Sequence, residues 1–152
     1  MSVLCKYDVV VRCLKFDDDC IFCKIVQKQA PSSIIYEDLS VLAFLDIRPA
    51  CEGHVLVIPK EHYEGIWDIP EELLGEVHQV AKLVAGVAKQ ALCVDGINVM
   101  QQTGRAANQE VFHLHVHVIP RRLGQKMRSI EELRIVDYKQ LDIIASNMRS
   151  YL

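Results

Sequence analysis

The clearest periodic pattern in the chain is a strict alternation of histidine and apolar residues over positions 113–118. Side chains along a β-strand point to opposite faces with a period of two. The alternation therefore predicts a strand over Val111–Ile119, with the three histidines on one face and Leu114, Val116 and Val118 on the other. Pro120 is expected to end this strand or to leave it at a sheet edge.

Shorter apolar runs bounded by turn residues predict four more strands, over Ile34–Tyr36, Val41–Asp46, Gly53–Pro59 and Ile97–Gln102. Apolar residues recur every three or four positions between Leu73 and Ala91, which predicts one long helix. Pro70 suits the first turn of this helix and Gly96 its C-terminal stop.

Consecutive strands without long crossovers indicate an α+β fold, an antiparallel five-stranded sheet with one long helix packed on it. A second helical pattern between Ile130 and Met148 predicts a C-terminal helical extension.

Length, charge and cysteine usage exclude several classes. A chain of 152 residues has the length of a single domain. The formal net charge of −3 argues against nucleic acid as a partner, and without an apolar run of about 18 residues no membrane span is expected. Residues 1–16 lack the apolar run of a secretory signal. The six scattered cysteines therefore favour a reducing intracellular compartment, such as the cytoplasm, over a disulfide framework.

A row of three imidazoles is a candidate for metal binding or catalysis. Histidines two residues apart on one strand face stand about 6.5–7 Å apart, so the row can contact successive groups of one extended polar ligand. Histidine is the commonest metal ligand and is well suited to nucleophilic or acid–base work near neutral pH. The alternative is a solvated strand face, which the strict alternation disfavours.

The segment from His113 to Val118 resembles the signature of the histidine triad (HIT) superfamily of nucleotide hydrolases and transferases. Further segments follow in the family's order, namely Cys20–Val26, Tyr36–Asp38, Leu42–Ile47, Gly53–His62 and Gln109. The resemblance is to the Hint-like branch that retains a Cys-x-x-Cys pair. It divides the chain into an N-terminal extension (1–17), a HIT domain (18–122) and a C-terminal helical extension (123–152).

The resemblance implies a hydrolase that attacks the α-phosphate of a purine nucleotide conjugate. His115 would be the nucleophile, and water would release a nucleoside monophosphate from the nucleotidyl-histidine intermediate. His117 would donate to a phosphate oxygen. A phosphoramidate is the first choice of substrate, with dinucleoside polyphosphate hydrolysis as the alternative. The rival from another class is a nucleotide-binding sensor or scaffold with vestigial catalysis.

The same resemblance implies contacts to the rest of the nucleotide. Asp46 would accept both ribose hydroxyls, and Phe44 and Ile47 would pack on the base. Gln109 would line the phosphate pocket, and His54 would lie near the triad. Members of the family form two-fold dimers through a strand and the long helix, so a homodimer is expected.

Two positions depart from the family pattern. Gln102 stands where the family often has asparagine, a ribose or phosphate contact. Glu110 stands where it often has serine or threonine, near the leaving group. Glutamate places a charge beside an anionic substrate, so this position bears on the choice of leaving group.

Cys20 and Cys23 have the spacing of two zinc ligands on a tight knuckle. A redox pair and a pair of packed thiols are the alternatives. Transferase relatives within the superfamily complete a zinc site with residues that correspond here to His62 and His113. The resemblance thus implies a closed, structural zinc site made by Cys20, Cys23, His62 and His113.

Overall fold

The computed structural model describes residues 14–152, so residues 1–13 of the predicted N-terminal extension (1–17) lie outside the described part of the chain. It contains strands β1 (Ile34–Glu37), β2 (Val41–Leu45), β3 (Val55–Pro59), β4 (Gly96–Gln101) and β5 (Val116–Arg121). The α-helices are α1 (Ile21–Val26), α2 (Glu71–Leu92) and α3 (Tyr138–Arg149), and short 3₁₀ turns lie at Arg105–Ala107 and Ile130–Glu132. Among residues 14–152, no helix has the length and apolar character to cross a membrane.

The predicted α+β fold is confirmed. The five strands form one antiparallel sheet in the order β1-β2-β3-β5-β4. Every residue of β2 and β3 is buried, because both faces of the sheet are covered. Helices α2 and α3 pack on one face in the main core, and α1 packs on the other with Leu42, Phe44, Leu56 and Ile58.

Strand register builds a row of side chains across the α1 face of the sheet. Phe44 pairs with Leu56, Leu56 with His117, and His117 with Met100. Directly paired residues on neighbouring strands present their side chains on the same face. The third histidine of the triad therefore sits in the middle of an apolar row.

Helix α2 ends differently from the sequence prediction. Pro70 is its N-cap, and Glu71 and Glu72 occupy its first turn, where acidic side chains favour the positive helix end. The predicted stop at Gly96 is wrong, because Cys93 adopts the left-handed conformation (φ 50°) that ends the helix. Gly96 is instead the first residue of β4.

Strand β5 is shifted toward the C-terminus relative to the predicted Val111–Ile119. It begins at Val116 because the preceding backbone is tied elsewhere, with the N–H of Leu114 donating to the carbonyl of Tyr63 at 2.6 Å. It also runs through Pro120. Since β3 pairs with β5 only as far as Val118, the missing N–H of Pro120 breaks no ladder on that side.

The C-terminal region forms helix α3, as predicted, together with a segment that we call the strap (residues 127–138). The strap is fastened to the loop after β2, where the N–H of Arg128 donates to Ala50 O (3.2 Å) and that of Val136 to Ile47 O (2.9 Å). At its end, the Tyr138 hydroxyl donates to Pro31 O at 3.2 Å. The strap therefore holds one wall of the site described next.

Candidate active site and metal centre

A cavity of about 690 Å³ opens on the face of the sheet that carries the triad. Eight of the residues predicted to catalyse or to bind nucleotide line it, namely Phe44, Asp46, Ile47, His54, Gln102, Glu110, His115 and His117. The strap contributes Met127, Arg128, Ser129, Ile130, Leu133 and Tyr138 to the opposite wall. A volume of this size is typical of a site for a small organic ligand.

His115 is held as a neutral imidazole in one tautomer. Its Nδ1 lies 2.7 Å from the carbonyl oxygen of His113. A carbonyl only accepts, so Nδ1 carries the hydrogen and Nε2 keeps its lone pair. Burial lowers the pKa of His115, which keeps the ring neutral. The ring of Phe22 stands edge-on against it, with 5.3 Å between ring centroids. This arrangement fits a nitrogen nucleophile.

His54 and His117 form a directed hydrogen-bond pair. Nδ1 of His54 accepts from the N–H of Ala50 at 3.1 Å, so its hydrogen resides on Nε2. That Nε2 lies 2.9 Å from Nδ1 of His117, which must accept. The hydrogen of His117 therefore resides on Nε2, a buried atom without a partner among residues 14–152. His117 thus offers an N–H donor to a ligand in the cavity.

Both members of this pair are neutral. Burial lowers the pKa of His54 to about 4, and burial together with the neighbouring His115 lowers that of His117 to about 3. Asp46 Oδ2 lies 3.5 Å from Nδ1 of His54. Since that nitrogen already accepts from Ala50 and the ring is uncharged, this approach is not an ion pair.

Asp46 lies at the end of β2, where the chain turns into the loop that the strap covers. Its Oδ1 accepts from the N–H of Arg48 at 2.8 Å, which fixes the carboxylate at the cavity wall. Its side chain is 19% exposed, so the other oxygen remains open to a ligand. This position is compatible with the predicted ribose contact.

Glu110 forms an ion pair with the guanidinium of Arg48, across 62 residues of chain. Both side chains line the cavity, and they are 58% and 42% exposed respectively. The charge that the sequence places near an anionic substrate is therefore balanced by a cation. No motif in the sequence pointed to Arg48, because the two residues meet only in the fold.

Gln109 occupies a different place from the one predicted by resemblance. Its Nε2 donates to the carbonyls of Glu64 (2.6 Å) and Val111 (3.1 Å), and its Oε1 accepts from the N–H of Gly104 (2.7 Å). The side chain is buried and is absent from the cavity lining. Gln109 therefore braces the loop before the triad, and its amide has no free donor for a phosphate.

The four predicted metal ligands converge at one end of the triad. Sγ of Cys20 lies 3.5 Å from Nδ1 of His113, and Sγ of Cys23 lies 3.6 Å from the same atom and 3.3 Å from Nδ1 of His62. All four residues are buried, and their ligand atoms lie within 4.8 Å of one another. Zinc–sulfur bonds of about 2.3 Å and zinc–nitrogen bonds of about 2.0–2.1 Å at tetrahedral angles separate S and N by about 3.5 Å.

The surroundings of this cluster also fit a cation. Nε2 of His113 donates to Pro59 O at 2.8 Å, which leaves its Nδ1 lone pair for a metal. The backbone N–H of Asp17 donates to Sγ of Cys23 at 3.4 Å. Burial raises the pKa of Cys23 to about 11, so a thiolate there needs a bound cation. Cys20 is the N-cap of α1 and Cys23 lies in its first turn, so a helical turn presents both sulfurs.

The comparisons with known proteins agree with the fold. The family model of the HIT domain matches residues 27–124. The chain is 45% identical over 106 residues to adenosine 5′-monophosphoramidase of Saccharomyces cerevisiae. The alignment covers 70% of this chain and 65% of the yeast protein. The chain is 34% identical over 143 residues to an adenylylsulfatase of Arabidopsis thaliana. That alignment covers 94% of this chain and 72% of the Arabidopsis protein.

Among solved structures, a Zn-bound histidine triad family protein from Mycobacterium smegmatis superposes with a TM-score of 0.79. It is 40% identical and covers 88% of this chain and 92% of that one. The chain belongs to the HIT family. The Cys20–Cys23 pair and the zinc-bound relative fit the predicted branch with a cysteine knuckle.

Proposed function

We propose that this protein hydrolyses purine nucleotide phosphoramidates, forming a nucleotidyl intermediate on His115 and releasing a nucleoside monophosphate. The observation that carries the proposal is the 2.7 Å bond from Nδ1 of His115 to the carbonyl of His113. It fixes the tautomer whose Nε2 lone pair is free to attack phosphorus. The similar proteins from yeast and Arabidopsis are a phosphoramidase and an adenylylsulfatase, both named for adenylyl substrates.

In the first step, Nε2 of His115 attacks the α-phosphorus and the leaving group departs. Charge develops on the non-bridging oxygens, and the buried Nε2–H of His117 is a donor held ready for one of them. His54 keeps that hydrogen on Nε2 by donating to Nδ1 of His117. Asp46 would hold the ribose, and Phe44 and Ile47 would pack beside the base.

In the second step, water attacks the nucleotidyl-histidine and regenerates neutral His115. Two displacements at phosphorus replace one, which is the general gain of covalent catalysis. A structural zinc at Cys20, Cys23, His62 and His113 would supply positive charge to two buried thiolates and link α1 to the segment before β5.

A direct test combines turnover with trapping of the intermediate. We expect the wild type to release AMP from adenosine 5′-phosphoramidate, and His115→Ala to lose activity by roughly 10⁴-fold, as for other covalent nucleophiles. Wild type quenched in alkali should carry acid-labile, base-stable label from an α-³²P substrate, and His115→Ala should not. His78→Ala is the matched control, because His78 is an exposed histidine on α2.

Two outcomes would contradict the proposal. Label or activity that survives His115→Ala would assign the nucleophile to another residue. Tight AMP binding without turnover of phosphoramidate or dinucleoside polyphosphate would favour the alternative of a nucleotide sensor or scaffold.

A further inference from the structure

A leaving amine departs with a proton, and the His54–His117 pair has none to give. If His117 released its Nε2 hydrogen and took another from His54, the ring of His54 would become an imidazolate. Its Nδ1 carries no hydrogen, because it accepts from Ala50. The pair therefore aims a donor at phosphate oxygen but is not a net acid. If the proposed phosphoramidase function holds, another group must carry the proton.

Apart from the nucleophile His115, the other titratable groups of the cavity wall, within the described part of the chain, are Asp46, Arg48, Glu110, Arg128 and Tyr138. Asp46 Oδ1 accepts from the Arg48 N–H, and its other oxygen is assigned to the ribose. Arg128 donates to Pro49 O at 3.1 Å and the Tyr138 hydroxyl donates to Pro31 O at 3.2 Å. Glu110 is the carboxyl group that remains, and its side chain is 58% exposed.

We propose that Glu110 is a catalytic residue that carries one proton through the reaction cycle. In the first step the Nε2–P bond to His115 forms, the P–N bond of the substrate breaks, and the protonated carboxyl of Glu110 gives its hydrogen to the departing nitrogen. In the second step the water O–P bond forms, the Nε2–P bond breaks, and the water proton passes to the Glu110 carboxylate. The proton that Glu110 gives away in the first step is thus regained in the second, so the residue acts first as an acid and then as a base.

Arg48 is the positioning residue for this cycle. Without substrate its guanidinium pairs with Glu110. A bound phosphate offers Arg48 a second acceptor in the same cavity. When Arg48 turns to the phosphate, the Glu110 carboxyl group is released from the ion pair and can face the departing nitrogen. Asp46 and His115 are the other titratable groups that face this end of the cavity.

The decisive experiment compares two AMP derivatives with Glu110→Gln. An alkylamine phosphoramidate has a leaving group that needs a proton, whereas the p-nitrophenyl ester of AMP leaves as a stable anion. With the phosphoramidate, turnover of Glu110→Gln should fall by about 10²-fold or more. With the ester, it should release one p-nitrophenolate per site at the wild-type rate and then turn over slowly, because the second step still lacks its base.

Two variants complete the comparison. Glu110→Asp should partly restore phosphoramidate turnover, because it keeps a carboxyl group. Glu76→Gln, at an exposed position of α2 outside the cavity, should match wild type on both substrates.

Three results would overturn the proposal. An equal loss with both substrates, burst included, would make Glu110 a structural partner of Arg48. Unchanged phosphoramidate turnover would show that another source supplies the proton. Wild type that cleaves neither substrate and forms no burst would instead refute the proposed function itself, and this inference with it.

Discussion

Nε2 of His54 lies 2.9 Å from Nδ1 of His117. This hydrogen bond determines that Nε2 of His117 is the nitrogen that carries the hydrogen and can donate it to a ligand. The pair joins the residue before β3 to the second residue of β5. His54 is itself oriented by the N–H of Ala50. The backbone of Ala50 therefore donates to the ring of His54, and that ring donates to the ring of His117.

We expect His54→Phe to weaken catalysis more than binding. Phenylalanine keeps a ring in the buried site but cannot donate to His117, so the Nε2–H tautomer loses its support. One misdirected donor to a developing oxyanion costs up to about 10²-fold in kcat. Steady-state kinetics with a phosphoramidate and AMP affinity by calorimetry would separate the two effects. His78→Phe should change neither, and unchanged kcat in His54→Phe would show that the pair does not orient His117.

The metal centre predicts a stoichiometry and a stability loss. Elemental analysis should find about one zinc per chain, because the four ligands form a closed set. Cys23→Ser should lose the metal and several degrees of Tm, since two buried histidines and one thiol would remain without a cation. Cys51→Ser is the control, because Cys51 is a buried free cysteine outside the cluster. A chelated wild type with unaltered Tm would contradict the assignment.

The ribose contact can be tested without disturbing the loop. Asp46→Asn keeps an oxygen for the Arg48 N–H but removes the charged acceptor. We expect KM to rise several-fold for a ribonucleotide substrate and less for its 2′-deoxy analogue, because a carboxylate accepts ribose hydroxyls more strongly than an amide. Equal changes for both sugars would assign Asp46 to the fold alone.

Stability should fall in mild acid. The folded-state pKa values of His54 (about 4) and His117 (about 3) lie below the ordinary value of 6.5, so below about pH 6.5 the unfolded chain binds protons that the folded chain does not. The contribution of the two neutral histidines to the stability of the fold is fully present above pH 6.5 and is lost progressively as the pH falls toward 3–4. Each histidine changes the free energy of unfolding by at most about 1.4 kcal/mol per pH unit in this range.

Urea unfolding at pH 7.5, 6 and 5 would measure this dependence. His117→Gln should flatten the slope relative to wild type, whereas His78→Gln should not. Both variants retain the four metal ligands, so acid release of a metal affects them alike. A slope that His117→Gln leaves unchanged would place the acid sensitivity elsewhere.

The predicted homodimer has a testable surface in β4. This strand is at the edge of the sheet, and its Val99 is 49% exposed. An edge strand with an exposed β-branched residue is suited to pairing with a second copy. Val99→Lys should shift the sedimentation coefficient to that of a monomer, while Ile143→Lys on α3 should not. Unchanged mass in Val99→Lys would move the interface away from β4.

The sequence predicted elements better than their ends. The apolar pattern identified all five strands and α2, and all of these except β4 contain buried apolar residues. It misplaced the end of α2, since a cysteine at Cys93 takes the left-handed conformation usually left to glycine. It also extended β5 back to Val111, since alternation cannot show that Leu114 bonds to the Tyr63 carbonyl.

For the site, ordered motifs located the residues of the triad and the four converging ligands. They could not show what each polar group is already bonded to. The side-chain amide of Gln109 is hydrogen-bonded to three backbone groups. Glu110 forms an ion pair with Arg48, which lies 62 residues away in the sequence. Such pairings depend on loop conformation, which has no periodic signature.

The acceptor that orients His115 is a main-chain oxygen. Every amino acid at position 113 carries the same carbonyl, so no point mutation deletes this interaction. A mutational scan of the chain would therefore score His113 by its ring alone and would miss its contribution to the nucleophile. Only a backbone change, such as an ester in place of the peptide bond after residue 113 introduced by chemical synthesis, can weaken that acceptor while keeping the imidazole.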